Sequence, residues 1–256
     1  MPGVRWKTQT VSRDGLIDWF QCPSGWRTFN EELKHYDAIL PGLFGYQLVQ
    51  VGGVGLWDVT RSSRVMNQQI VGLSNRNRSD VHAFVANANA LPIQSDSIDV
   101  VVMPHVLEFE SHPENALREV QRILLPEGHV IISGINPWSL IGLRQFILRY
   151  RRPPCCGYFL QKGHVRGWLA MHGFDVLISK FFSFPPWPHS TKLLGRLIFP
   201  IWLREIFCEG YVLVAKKRQA TITRLKAKRM SMRRFVSSGI AEPSPRIMNG
   251  DNSCRC

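Results

Sequence analysis

Three residue types in this chain could do chemistry, and each follows directly on an apolar run. Gly45 to Gly55 reads GYQLVQVGGVG. A short apolar strand there runs into Gly52, Gly53 and Gly55, which permit positive φ and close backbone approach of a ligand at no steric cost. The same cluster would also serve as a plain strand-to-helix turn. His105 comes after the run Ile98 to Met103. Its unperturbed pKa suits a general base, and a core or wall histidine is the other reading of the position. Asn87 follows Phe84 to Ala86; its amide can accept and donate together, or it can close a turn at a strand end. The six cysteines form no CxxC pair, and no histidine cluster has metal spacing. Neither zinc nor redox chemistry is supported, and free thiols in a reducing cytoplasm are expected.

The elements that must position these residues are legible from periodicity. Ile98 to Met103 is continuously apolar, as in a parallel strand covered on both faces, and Val130 to Ile132 repeats the pattern. Between them Ala116, Leu117, Val120, Ile123 and Leu124 recur at helical spacing, opened by Pro113-Glu114 and closed by Pro126-Glu127-Gly128. This is a βαβ crossover, and sheets built from such units bind ligands at the carboxyl ends of their strands. Upstream, Leu33, Tyr36, Ile39 and Leu40 share one face of a helix ended by Pro41-Gly42. Trp19, Phe20 and Trp26 precede it and are expected to pack over the core or close a pocket. Downstream, Val165 to Met171 predicts a helix, and Val176 to Ser179 and Gly210 to Ala215 predict strands.

In its middle the chain resembles the class I S-adenosylmethionine-dependent methyltransferases, type 11 group. The resemblance is carried by Ala90-Leu91-Pro92-Ile93 before Ser97-Ile98-Asp99-Val100-Val101, by His105-Val106-Leu107-Glu108, and by Leu117-Arg118-Glu119-Val120 through Leu125-Pro126-Glu127-Gly128. Ile132 to Pro137 and Gly142-Leu143-Arg144 are similar to a bacterial branch of that group. The resemblance implies an α/β fold with a Rossmann-like, seven-stranded, mostly parallel sheet. It implies S-adenosylmethionine as cofactor and a small molecule as methyl acceptor. Gly52, Gly53 and Gly55 would lie beneath the methionine part of the cofactor, Asn87 and Ala88 would meet the adenine, and Met103 and His105 would line the methionine end. Asn136 and Arg144 would face the acceptor. The group's acid-x-Gly-x-Gly-x-Gly pattern is altered: Gln50 stands in the acid's place, and Val54 and Leu56 replace two glycines. Ser74-Asn75-Arg76 follows the second expected strand, Gln69 to Leu73, without a carboxylate for the ribose.

At 256 residues and 45% hydrophobic content the chain can bury one α/β core. A domain over 1–218 and a basic tail over 219–256 are expected. Most of the net charge of +13 lies late: from Lys216 onward eleven Lys or Arg oppose only Glu242 and Asp251. That tail is polar and poor in large apolar residues, so it is expected to be disordered. It could grip nucleic acid or an anionic membrane surface, or simply keep the protein soluble. Residues 138–152 alternate aromatic or aliphatic residues with arginines, as a helix covering a hydrophobic acceptor, resting on a membrane, or merely covering the sheet would. Proline excludes Phe181 to Phe207 from a central strand, leaving a lid or an irregular cover. No stretch reaches the ~20 apolar residues of a spanning helix, and a cytoplasmic protein is expected. A rival reading is a fold that has lost catalysis and serves as a binding module through its tail. A dehydrogenase fits poorly because the loop is not GxGxxG.

Overall fold

The computed structural model describes residues 14–53, 59–73, 83–139, 159–182 and 208–218. They all belong to the first of two units, Met1–Ala220 and Thr221–Cys256. The basic tail, the arginine-rich segment with Arg144, and the Phe- and Pro-rich stretch at 183–207 lie outside the described residues.

Seven strands form one sheet: β1 Gln47–Val51, β2 Asn67–Gly72, β3 Ala83–Val85, β4 Ile98–Pro104, β5 Leu124–Ile135, β6 Phe174–Phe182 and β7 Gly210–Lys217. Their order is β3-β2-β1-β4-β5-β7-β6. The pairs among β1 to β5 are parallel, and β7 runs antiparallel to both β5 and β6. The chain therefore changes direction between β1 and β4, where the strand order reverses and a crevice opens at the carboxyl edge.

The apolar runs are continuous because each sheet face has its own cover. Val101, Met103, Val130 and Ile132 pack with Leu117, Val120 and Ile123 of helix α3 (Pro113–Ile123) and with Val165 and Leu169 of helix α4 (Lys162–Met171). The alternate residues Val100, Val102 and Ile131 pack on the other face, with Leu16, Phe20, Phe29, Leu33, Tyr36 and Leu40. These come from helices α1 (Asp14–Gln21) and α2 (Pro23–Ile39) and the short turn after them. Alternation by two sends successive side chains to opposite faces, so a strand covered on both faces shows no polar phase.

Two elements differ from the sequence pattern. The N-terminal helix, expected over about 28–40, starts at Pro23, where proline lacks one of the N–H groups that a first turn leaves unpaired, and α1 precedes it. Helix α3 also ends sooner than expected. Leu124 is already extended and pairs with Ile98, while His129 pairs with Val100. Pro126-Glu127-Gly128 is thus an excursion within the start of β5, with Glu127 at φ +67°, and not a helix cap followed by a separate strand.

The single carboxylate in β4 is used at the sheet's amino edge, where Asp99 Oδ2 accepts from the backbone N–H groups of Tyr46 (2.8 Å) and Gln47 (3.0 Å). At the same edge Lys217 Nζ donates to Asp96 Oδ1 (2.7 Å) and the Leu124 carbonyl (2.6 Å). Both braces leave the opposite, carboxyl edge free of them.

The fold predicts a sharp contrast between two leucines. Leu117→Ala removes a fully buried side chain and should cost about 2–5 kcal/mol in urea unfolding. Leu177→Ala on the outer strand β6, 51% exposed, should change stability by no more than about 0.5 kcal/mol.

Candidate active site

At the end of β1 the chain turns through Gly52 at φ +73°, with its N–H given to the Val71 carbonyl (2.8 Å). A side chain there would be strained in conformation and would also clash, since a Cβ would come 2.8 Å from Val106 Cγ2 and 3.0 Å from Leu73 Cδ1. The first glycine of the expected loop is thus required by packing as well as by φ. Gln50, in the acid's place, is buried; its Nε2 donates to the Gly52 carbonyl (3.1 Å). Its Oε1 has no hydrogen-bond partner among the described residues. Gly53 follows in the same turn, and Gly55 lies outside the described residues.

The segment after β3 is a turn closed on itself. Asn87 Oδ1 accepts from the Asn89 N–H (2.9 Å), and Asn87 bridges to Ala90. One lone pair of the Asn87 carbonyl is therefore committed to the turn. Ala88 packs into the core beside it. Helix α3 holds the segment that follows: Arg122 donates to the carbonyls of Leu91 (2.9 Å) and Ile93 (2.8 Å), and Glu119 accepts from the Leu91 N–H (3.2 Å). The Ala-Leu-Pro and Arg-Glu-Val segments of the sequence are two sides of this one joint.

At the end of β4, Met103 is wholly buried and packs within the core, so its side chain is not a pocket wall. Two residues on, His105 adopts φ +50°. Its Nε2 lies 3.0 Å from Glu32 Oε2 of α2 and its Nδ1 3.2 Å from Glu108 Oε2. All three side chains are at most 2% exposed. Burial alone would lower the pKa of His105, but the two carboxylates outweigh it and raise the value from 6.5 to about 10. The ring is an imidazolium donating at both nitrogens. In this arrangement it has no lone pair to offer as a general base, contrary to the base reading of the sequence. Glu108 Oε1 also accepts from the Ile135 N–H at the end of β5. The His105 N–H is given to the Ser133 carbonyl (3.3 Å), and Tyr36 donates to Ser133 Oγ (3.0 Å). Burial first, and then Glu32, pushes the Tyr36 hydroxyl well up, so it keeps its proton. The Tyr36 hydroxyl also hydrogen-bonds the Glu32 carboxylate.

Asn136 follows β5 and is buried. Its backbone N–H goes to Glu209 (2.9 Å), its Nδ2 to the Cys208 carbonyl (3.1 Å), and its Oδ1 accepts from the Trp138 N–H (3.3 Å). It ties β5 to the approach of β7. Thr28 of α2 donates to the carboxylate of Glu209 (2.5 Å), which extends the seam. Arg144 lies outside the described residues.

Residues 56–132 match the methyltransferase domain family of type 11. The strand order and the described helices match solved methyltransferases. One is an S-adenosylmethionine-dependent methyltransferase of Thermotoga maritima described as a possible histamine N-methyltransferase (TM-score 0.57, 19% identity, 80% of this chain and 95% of that one). Another is the putative methyltransferase of Haloferax volcanii solved with the activator Trm112 (TM-score 0.55, 17% identity, 80% and 98%). Over residues 56–132 the chain is similar to the type 11 methyltransferase domain, and its sheet has the class I methyltransferase fold. Across 188 residues it is 28% identical to the uncharacterised protein YafS of Escherichia coli K12, covering 71% of this chain and 72% of that one. Over 91 residues it is 31% identical to a malonyl-[acyl-carrier protein] O-methyltransferase of Methylovorus, of which it spans 29%. The domain match begins beyond Gln50 to Gly55, where the sequence departs from the acid-and-glycine pattern.

The candidate site contains two residues that sequence reasoning missed, Glu32 and Glu108. Glu32 had a signal: it lies on the same helical face as Phe29, Leu33 and Tyr36, and a carboxylate on a buried face needs a partner. Nothing local named that partner, 73 residues away. No group of three or more His, Cys, Asp or Glu among the described residues could hold a metal ion. The two carboxylates flank the imidazole ring at its two nitrogens. No helix among the described residues is long and apolar enough to cross a membrane.

The imidazolium gives a signed pH prediction. A folded pKa raised above the unfolded one stabilises the protein fully below pH 6.5 and loses that contribution as pH rises through about 10. In urea unfolding from pH 6 to 10.5, the wild type should hold its midpoint to higher pH than Glu108→Gln, which lacks one of the two raising carboxylates. Coincident profiles would refute the assignment.

Proposed function

We propose that the protein is an S-adenosylmethionine-dependent methyltransferase acting on a small acceptor. The observation that carries this reading is the buried Gln50 Oε1, without a hydrogen-bond partner among the described residues, beside the Gly52 turn, at the carboxyl edge of a sheet of methyltransferase strand order. A buried acceptor left open costs about 1–3 kcal/mol, and the ammonium of the cofactor's methionine part is a donor of the right kind. The residues present therefore fit the group, with Gln50 supplying a neutral acceptor where the family supplies a charged one. A neutral acceptor bonds roughly half as strongly.

When bound, S-adenosylmethionine supplies the activated methyl group. The chain's own part is to bind, orient and keep water out, since holding the reacting atoms in line is the larger share of such catalysis. Gly52, Gly53 and Gly55 would pass beneath the methionine part, with Gln50 at its end. Asn87 and Ala88 would meet the adenine, Asn87 through its remaining capacity beyond the turn. Met103 would contribute backbone only. Asn136 and Arg144 would stand toward the acceptor. His105 serves as a positioning residue that fixes α2 against the ends of β4 and β5.

The second reading, a binding module that has lost catalysis and engages nucleic acid or a partner through its basic tail, is favoured by Gln50 in the acid's place and by the occupied ring nitrogens of His105. Calorimetry with S-adenosylmethionine and S-adenosylhomocysteine separates the two. Micromolar binding, weakened about tenfold (about 1.4 kcal/mol) by Gln50→Leu and also reduced by Asn87→Ala, is expected of the enzyme. Absence of binding at millimolar cofactor in folded protein would make the module the better account.

A further inference from the structure

We infer that the carboxyl edge of the sheet is a docking face for an anionic membrane surface, seated through Trp26, Arg27 and Trp138. The inference stands apart from the methyltransferase reading. Trp26 and Trp138 come from distant parts of the chain and are brought together through one residue. Thr28 of α2 donates to the Glu209 carboxylate, and the Asn136 N–H goes to the Glu209 carbonyl. Each tryptophan is two positions from one of these bonds. Both remain open to solvent, Trp26 at 44% and Trp138 at 61% exposure. Arg27 is exposed beside Trp26 near the start of α2. The acids of this seam face inward: Glu32, Glu108 and Glu209 are buried and bonded within the protein.

The chain on either side continues the same chemistry. Strand β6 runs parallel to β5, since both are antiparallel to β7, so Ile135, Phe182 and Gly210 all lie at the carboxyl edge. Lys162, which opens α4, is there too, with its Nζ 3.8 Å from the centroid of the Phe181 ring. Residues 140–158 and 183–207 are therefore each joined at both ends to this one edge. In sequence they hold four and three Lys or Arg respectively, against Glu205 alone. They are also rich in large apolar residues, as in Phe146-Ile147-Leu148 and Leu197-Ile198-Phe199. Tryptophan with arginine and bulky aliphatic residues is the composition of a surface that lies among lipid headgroups, where the indole sits at the interface and the cations meet anionic lipid. A nucleic acid is the poorer occupant, because its protein interfaces are markedly more polar than this. The opposite edge also exposes aromatic residues, Phe44 and Tyr46. There, however, Lys216, Lys217 and Arg218 are each paired with an acid.

The test is co-sedimentation of the full chain with sucrose-loaded vesicles of phosphatidylcholine containing about one third phosphatidylglycerol, with phosphatidylcholine alone as the control. Binding to the mixed vesicles about tenfold or more stronger than to the neutral ones is expected. Trp138→Ser should weaken it about tenfold, and Trp26→Ser by a similar factor, each variant shown by thermal unfolding to be folded. Arg27→Glu reverses a charge without removing an anchoring ring, and should weaken binding to the mixed vesicles alone. Phe44→Ser, at the opposite edge, should leave binding to both unchanged. No binding, or equal binding to the two kinds of vesicle, would overturn the inference. So would mixed-vesicle binding that survives all three carboxyl-edge changes, the result that attachment through the basic tail predicts, or a loss with Phe44→Ser as large as with Trp138→Ser. Binding of a single-stranded RNA that falls with Trp138→Ser, in the absence of vesicle binding, would assign the face to nucleic acid instead.

Discussion

A charged imidazole buried between two carboxylates is the interaction on which the upper half of this molecule depends. Removing a charge from water costs several kcal/mol unless its partners are well placed. His105 meets that demand only when α2, the end of β4 and the turn after it are all in position. Glu32 comes from the helix and Glu108 from the short turn Leu107–Phe109, while Glu108 in turn holds the first free N–H at the end of β5. The N-terminal helices are thereby fastened to the carboxyl edge of the sheet by charge, in addition to the apolar contacts of Phe20, Phe29, Leu33 and Tyr36.

The two edges of the sheet are organised differently. At the amino edge Asp99 takes two N–H groups, and Lys217 meets a carboxylate and a carbonyl. At the carboxyl edge the buried Gln50 Oε1 has no hydrogen-bond partner among the described residues. Native interiors rarely leave such atoms unpaired. Its position at the edge where this class of sheet binds ligands ties the packing of the strands to the chemistry above them.

Much of the sheet was legible because its strands are covered on both faces. Val100 to Met103 reads as an unbroken apolar run for the reason that Val100 and Val102 meet one layer of helices while Val101 and Met103 meet the other. Helix α3 showed its period and its opening proline, but its end was misplaced, since Pro126-Glu127-Gly128 has the composition of a cap and here bulges out of a strand. The site was less legible. Gly52 could be found because a glycine's role is local. His105 could be found as a residue but not in its role, which depends on Glu32 far back in the chain. Asn136 has the composition of a ligand-facing residue and is spent on joining two strands. A sequence window carries the conformational cost of each residue but not the identity of the distant group that offsets it.

The sequence distances spanned by α2 have a consequence for biosynthesis. Glu32 meets a residue 73 positions later, Tyr36 one 97 later, and Thr28 one 181 later. At ribosomal speeds of roughly 5–20 residues per second, the helix emerges on the order of 10–40 s before the residue that accepts from Thr28 has been made. Glu32 waits only for residue 105 and Tyr36 for residue 133, so the apolar face has strands to settle on well before Thr28 meets Glu209. The helix is therefore fastened in stages, and its Thr28 end is joined to the sheet only when the last strand arrives.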